Sequence, residues 1–182
     1  MNPSLLSTEG KEAKNKLSKF LGILSKAKLI HSKVPPLRNR RSLRQVKGMK
    51  RCLKCVYCPY VKEGKTVKAF ASKAAVTINA VATCETSNVV YCISCKKCNI
   101  QYIGKTEREL KERIAEHRGS INNDHVDKSV SYHFNSPGHR IADFSFTVLE
   151  KVYKICPEYL RKREEHWIKI FNTKYKGLNK IS

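Results

Sequence analysis

Six of the eight cysteines fall into two runs of identical spacing. Cys52, Cys55 and Cys58 form one C-x2-C-x2-C, Cys92, Cys95 and Cys98 form another, and Cys84 and Cys156 stand apart. A C-x2-C pair turns tightly enough to bring both thiolates onto one zinc ion, and two such pairs complete a tetrahedron. In an extended strand Cys92 and Cys95 face opposite sides, which makes Cys95 and Cys98 the better pair. These two are expected to share one structural Zn2+ with ligands from the first run. Cys84 is an additional candidate, and which of Cys52, Cys55 and Cys58 takes part stays open. Iron–sulfur clusters and redox thiol pairs use similar spacings, but ferredoxin-like modules usually add a Cys-Pro and are seldom so basic. Cys156, alone before Pro157, reads as a small core residue.

A second group of reactive side chains sits where apolar ones belong. In "PEYLRKREEHWIKIF" (157–171) a helical period puts Leu160, Trp167, Ile168 and Phe171 on one face, with Glu164 in its middle. A buried carboxylate needs a cation, either a metal ion or an arginine; Glu165, at the edge of the stripe, reads as solvated. In the preceding helical pattern His117 shares the stripe of Leu110, Ile114 and Ile121, with Arg113 at its border. Tyr91 and Tyr102 lie on two apolar strands. Brought together in about 90 residues, these side chains could assemble into a phosphodiester-cleaving site. Taken singly, the tyrosines are good strand formers, His117 fits a core position and Glu164 fits a structural ion pair. Gly104-Lys105-Thr106 is not a phosphate-binding P-loop, because that motif requires a glycine five residues earlier, where this chain has Asn99.

The elements that must position these groups follow from period and punctuation. "VVYCISCKKCNIQYIGKT" (89–106) reads as a hairpin with its thiols and lysines at the tip. Thr106 and Glu109 have capping-box spacing, so a helix is expected to begin there. Residues 122–140 read as a loop with a short helix around "SVSYHF". "FSFTVL" (144–149) alternates like a half-buried strand, and Pro157 opens a helix running to about Phe171. "AAVTINAVA" (74–82) reads as one strand. From Val89 onward the order is β-β-α-(α)-β-α, a small α/β (α+β) sandwich of roughly 90 residues, near the minimum for an independent core. Upstream, residues 12–30 show a basic amphipathic helical pattern, and 33–51 a proline-containing basic linker.

The charge is distributed unevenly. The 182 residues carry 37 Lys+Arg against 15 Asp+Glu, a formal charge of +22. Residues 1–51 hold 14 basic and 2 acidic side chains, whereas 99–182 hold 16 and 11. An arm this basic favours a polyanion, nucleic acid above all, and Arg38, Arg40, Arg41, Arg44 and Lys105 are its candidate contacts. No run approaches the ~20 apolar residues of a membrane span. The N-terminus lacks the order of a secretory signal, so a nuclear or cytoplasmic setting, with neither membrane nor secretion, is expected.

Tyr91, then Tyr102-Ile103-Gly104 eleven residues later, Arg113 and His117 on the next helix, "REEHWIK" (163–169) and "GLN" (177–179) resemble the GIY-YIG endonuclease domain over about 89–179. With "CLKCVYC" upstream and "SVSYHFNSPGH" following, the chain resembles more narrowly the endonuclease region of Penelope-like retroelements. The resemblance implies a small three-stranded antiparallel sheet flanked by helices over 89–182. A basic arm (1–51) and a Cys-rich zinc-binding segment (52–88) precede it. It also implies one-metal phosphodiester hydrolysis, with Mg2+ or Mn2+ on Glu164. Arg113 would stabilise phosphate charge, Tyr91 would act as general base, and Tyr102 would open the second motif. His117 would complete the catalytic set with Tyr91, Tyr102, Arg113 and Glu164, and Gly104 and Asn179 would support the site, with His125 from the central loop. His133 and His139 belong to the retroelement pattern without an assigned role. "GIY" is replaced by Val89-Val90-Tyr91, and Arg113 lies one residue further from Gly104 than in many members; neither change removes a side chain the chemistry needs. The implied activity is a DNA endonuclease that nicks and leaves a 3′-hydroxyl, with element RNA as a further partner and a polymerase segment missing from the parent polyprotein. The alternative is a catalytically inactive, zinc-stabilised nucleic-acid-binding module.

Overall fold

In a computed structural model, residues 46–125 and 128–179 are described, together with Asn15, Ser18 and Lys19. The arginines at 38, 40, 41 and 44, and nearly all of the helix expected over 12–30, lie outside the described residues. Seven strands are present among the described residues: β1 (Gly48–Met49), β2 (Thr66–Lys68), β3 (Ala75–Thr77), β4 (Val81–Ala82), β5 (Val89–Cys95), β6 (Gln101–Thr106) and β7 (Phe144–Lys151). Four helices accompany them: α1 (Leu110–Asn122), α2 (Ser129–Asn135), α3 (Pro157–Phe171) and α4 (Thr173–Lys176).

The expected three-stranded antiparallel sheet is present, in the order β6-β5-β7. Tyr91 pairs with Gly104 and Val148, and Ile93 with Tyr102 and Phe146. Side chains alternate along a strand, so these residues share one face. Cys92, Ile103 and Thr147 share the other, with Ser94, Gln101 and Ser145. Every residue of β5 is buried, as befits a central strand covered on both sides. Both outer edges of the sheet are covered as well. Val61 bridges to Phe146 and Lys62 N–H donates to the Phe146 carbonyl at 2.8 Å. Along β6, Leu178 N–H donates to the Gln101 carbonyl at 2.9 Å.

Helix α1 buries Leu110, Ile114 and Ile121, the expected stripe. It begins at Leu110 and not at the Thr106–Glu109 spacing, because Thr106 still belongs to β6 and its hydroxyl accepts the Arg108 N–H. Helix α3 begins at Pro157 and ends at Asn172, which adopts a left-handed conformation. Strand β7 is buried from Phe144 to Leu149, not half-buried as its alternation suggested, because both of its faces are covered. The stretch 74–82 is likewise not one strand. Its halves enter different small sheets, β2-β3 and β1-β4. Buried apolar residues from Met49 to Leu178 nevertheless form one continuous core.

Candidate active site and metal centres

The hairpin β5-β6 presents both tyrosines to α1. Tyr91 is completely buried, and its hydroxyl lies 2.7 Å from His117 Nε2. Arg113 Nε donates to the same oxygen at 3.2 Å. The Tyr91 oxygen thus accepts from Arg113 and shares a second hydrogen bond with His117, whose direction follows the imidazole tautomer. The ring of Tyr102 meets that of His117 edge-on, with centroids 5.4 Å apart. One helical turn separates Arg113 from His117, so one helix face addresses both strands. Arg113 also pairs with Glu116, which in turn holds Arg108.

Gly104 makes this approach possible. A Cβ at this position would lie 2.5 Å from the Tyr91 hydroxyl and 2.8 Å from Tyr102 Cε1. The requirement is one of space: the phenol lies directly against the backbone of the neighbouring strand. Asn179 fixes the outer side of that strand. Its amide oxygen accepts the Ile103 N–H at 2.7 Å, and its Nδ2 donates to the Ile103 carbonyl at 2.6 Å. A cleft of about 670 Å3 opens beside Tyr102 and is lined also by Lys169, Lys174, Tyr175 and Asn179.

Glu164 is half-buried on α3, whereas Glu165 is exposed and paired with Arg161. Burial raises the Glu164 carboxyl against the opposing charges of Lys105 and Arg113, and its own charge raises both tyrosines. It makes no ion pair among the described residues. Burial likewise raises the pKa of Tyr91, which Arg113 only partly offsets. Burial, then Arg113, pulls His117 down to about 3, so the imidazole is neutral near pH 7. A lone oxygen donor with these neighbours fits a hard divalent ion that keeps most of its positions for water and phosphate.

The structure thus brings together Tyr91, Tyr102, Gly104, Arg113, His117 and Asn179, with Glu164 and Lys105 in electrostatic reach. His125 is exposed and makes no side-chain hydrogen bond among the described residues.

The cysteines divide differently from the expected shared site. Cys52, Cys55, Cys58 and Cys84 form one cluster, and Cys95, Cys98, His133 and His139 a second, each with its ligand atoms within 4.8 Å of one another. Sulfur separations in the first are 3.5 Å (Cys52–Cys58), 3.7 Å (Cys55–Cys58) and 4.0 Å (Cys58–Cys84). A tetrahedron with the usual zinc–sulfur length has an edge of about 3.8 Å. In the second cluster Cys95 Sγ lies 3.5 Å from His139 Nδ1 and Cys98 Sγ 3.6 Å from His133 Nε2, against about 3.6 Å for a sulfur–nitrogen edge. Burial raises the Cys58 thiol, but backbone N–H groups and the Cys52 and Cys55 thiols bring it down to about 6. The hairpin tip meets the last turn of α2, which carries His133, and the segment after it, which carries His139, and the first knuckle closes on Cys84 instead. Cys92 faces away from both, in the core beside Ser94. The histidines at positions 133 and 139 were visible in the sequence, but only their docking on the hairpin tip marks them as ligands.

Comparison with known proteins adds an independent line. No curated protein sequence matches. The catalytic domain of the homing endonuclease I-TevI, a solved structure, is similar over 53% of this chain and 100% of that chain, with 23% identity and a TM-score of 0.46. The GIY-YIG catalytic domain family matches residues 87–179. That span is just over half of the chain and includes all three strands of the β6-β5-β7 sheet and the tyrosine–arginine–histidine cluster, so the protein belongs to the GIY-YIG family of endonucleases, enzymes that hydrolyse phosphodiesters.

Proposed function

We propose that the chain is a DNA endonuclease dependent on Mg2+ or Mn2+, which nicks one strand and leaves a 3′-hydroxyl. The observation that carries this reading is the buried Tyr91 hydroxyl, shared by His117 and Arg113 within electrostatic reach of a half-buried Glu164 that makes no ion pair among the described residues. Glu164 would hold the divalent ion, which when bound supplies Lewis-acid polarisation of the scissile phosphate. Arg113 has its guanidinium at the Tyr91 oxygen, where its charge favours the phenolate and serves the developing phosphate charge. With His117 in the tautomer that accepts at Nε2, the phenol is oriented by donating its hydrogen bond there, and a lone pair of Tyr91 remains for the attacking water. In the free chain burial keeps that phenol protonated. Its basic form therefore requires positive charge beyond Arg113.

Zinc at the Cys52–Cys55–Cys58–Cys84 and Cys95–Cys98–His133–His139 clusters would be structural. Each has four protein ligands, which closes the tetrahedron and leaves no open position. The first holds the knuckle against the segment entering α1, where Lys111 N–H donates to the Cys84 carbonyl at 2.7 Å. The second clamps the hairpin tip and with it the relative register of the two tyrosines. The basic residues upstream would add salt-sensitive, largely sequence-independent affinity. We further infer a retroelement setting and a nuclear location, in which the 3′-hydroxyl product would prime synthesis directly.

The test is supercoiled plasmid incubated with Mg2+ or Mn2+ and the parent protein, Glu164→Ala or Arg113→Ala. We expect relaxed circles from the parent, and rates reduced by about 10²-fold or more in Arg113→Ala and further in Glu164→Ala. Equal plasmid binding by all three with no nicking by any would establish the inactive binding module instead.

A further inference from the structure

We propose that the groove between the β2-β3 hairpin and the β6 end of the sheet binds a single polynucleotide strand, separate from the strand being cut. The groove holds about 550 Å3, and its lining includes Lys62, Lys68, Lys73 and Phe70 but no acidic residue. Among the described residues none of these three lysines forms an ion pair, in contrast to Lys111 and Lys162, which do. Three ammonium groups around one concavity repel one another, and an anion in the groove relieves that repulsion.

The hairpin is built to hold this arrangement. Gln101 is buried, its Nε2 donates to the Lys68 carbonyl at 3.0 Å and its Oε1 accepts the Phe70 N–H at 2.8 Å. One amide therefore pins the end of β2 to β6. At the hairpin turn Lys73 adopts a left-handed conformation, φ 62°, which is unfavourable for a residue with a Cβ. Its ammonium comes back to within 5.3 Å of the Phe70 ring centroid. Phe70 is nevertheless 49% exposed. A half-exposed aromatic ring among unpaired cations is the chemistry that stacks an unpaired base and tracks its phosphates. A duplex conceals its base faces and suits the site less well.

Position separates this groove from the cutting site. Ser94 and Gln101 pair with each other on the face of the sheet opposite Tyr91 and Tyr102. The residues that build the groove wall, from Lys62 to Lys73, also precede the 87–179 family match. The cationic and aromatic wall of the groove is thus built outside the matched catalytic domain, against Ser94, Asn99 and Gln101 within it, and strand binding there does not depend on the nuclease reading.

The test uses the full chain without added Mg2+ and fluorescence anisotropy with labelled oligothymidylate or oligouridylate of about 15 nucleotides, beside a duplex of the same length. Phe70→Ala is expected to weaken single-strand binding about five-fold or more. The triple variant Lys62→Ala, Lys68→Ala, Lys73→Ala should reduce the slope of log K against log salt by about 2 in magnitude, with a much smaller change on the duplex. A preference for one oligomer identifies DNA or RNA as the natural strand. Photocross-linking of the unaltered protein to iodouracil-substituted oligomer supplies a readout that needs no variant, and it should label the peptide containing Phe70. Unchanged affinity in both variants, equal losses on single strand and duplex, or cross-links confined to other peptides would each overturn the proposal.

Discussion

Replacing Gly104 by alanine tests the site geometry most directly. The added Cβ would meet the Tyr91 hydroxyl at 2.5 Å, its Cζ at 2.6 Å and Tyr102 Cε1 at 2.8 Å. Ordinary carbon contacts lie at about 3.5–4.0 Å, so the Tyr91 ring would have to retreat by roughly 1 Å. It has no free space for this, because Tyr91 is completely buried and its oxygen is held by His117 and Arg113. A misplacement of about 1 Å costs on the order of 10²-fold in rate, and overpacking costs about 1–3 kcal/mol of stability. The matched control is Gly119→Ala in the last turn of α1, where a Cβ meets nothing within 4 Å. That change should stabilise the protein by about 0.5–1 kcal/mol and leave the rate unaltered. Single-turnover nicking and urea unfolding of both variants supply the numbers. A Gly104→Ala protein that nicks within about threefold of the parent and unfolds at the same urea concentration would show that the tyrosine is not held against this strand.

Three further outcomes follow from the geometry. His117 has a folded pKa of about 3, below the usual ~6.5, so the unfolded chain binds the extra proton and stability falls as pH drops through 6.5 towards 3. Between pH 7 and 5 the parent should lose about 2 kcal/mol that His117→Gln does not lose; equal losses in urea unfolding would contradict the burial of a neutral imidazole. Metal analysis should find two zinc ions per chain in the parent and one in either Cys84→Ser or His133→Ala, in line with the two clusters. Cys156→Ser should keep both ions and gain about 1 kcal/mol, since Cys156 occupies the N-cap of α3 without a side-chain hydrogen bond; two ions retained in Cys84→Ser would refute the ligand set. Asn179→Ala strips the Ile103 N–H and carbonyl of their partners and should cost about 1–3 kcal/mol, with faster hydrogen exchange at the Ile103 amide; unchanged protection there would show that this edge of β6 is held by other contacts.

Local spacing by itself determined a good deal of this protein. The helical period of 157–171 identified α3, its start at Pro157 and the anomaly of Glu164 on an apolar face, and the structure keeps all three. The stripe of Leu110, Ile114 and Ile121 likewise placed Arg113 and His117 on one face of α1, because 3.6 residues per turn leave no other arrangement. The tyrosine hairpin was legible for the same reason. Each of these relations spans a few residues and is enforced by chain geometry alone.

Partners contributed by distant segments were legible only as candidates, as Cys84 was, or not at all, as with His133 and His139. C-x2-C spacing guarantees that two thiolates can meet one ion, but it does not say which distant residues complete the tetrahedron. Packing chose Cys84 for the first run and His133 with His139 for the second. The Thr106–Glu109 spacing suggested a helix cap, yet Thr106 is committed to β6 by its pairing with Val89, and a residue within a sheet ladder cannot also cap a helix. His125 matched a motif position but remained on the surface. The sequence could place Tyr91 on a strand and His117 on a helix. Only the stacking of that helix on the sheet, with Gly104 leaving room for the phenol, brought the two within 2.7 Å, because that contact depends on packing between elements and not on the local geometry of either one.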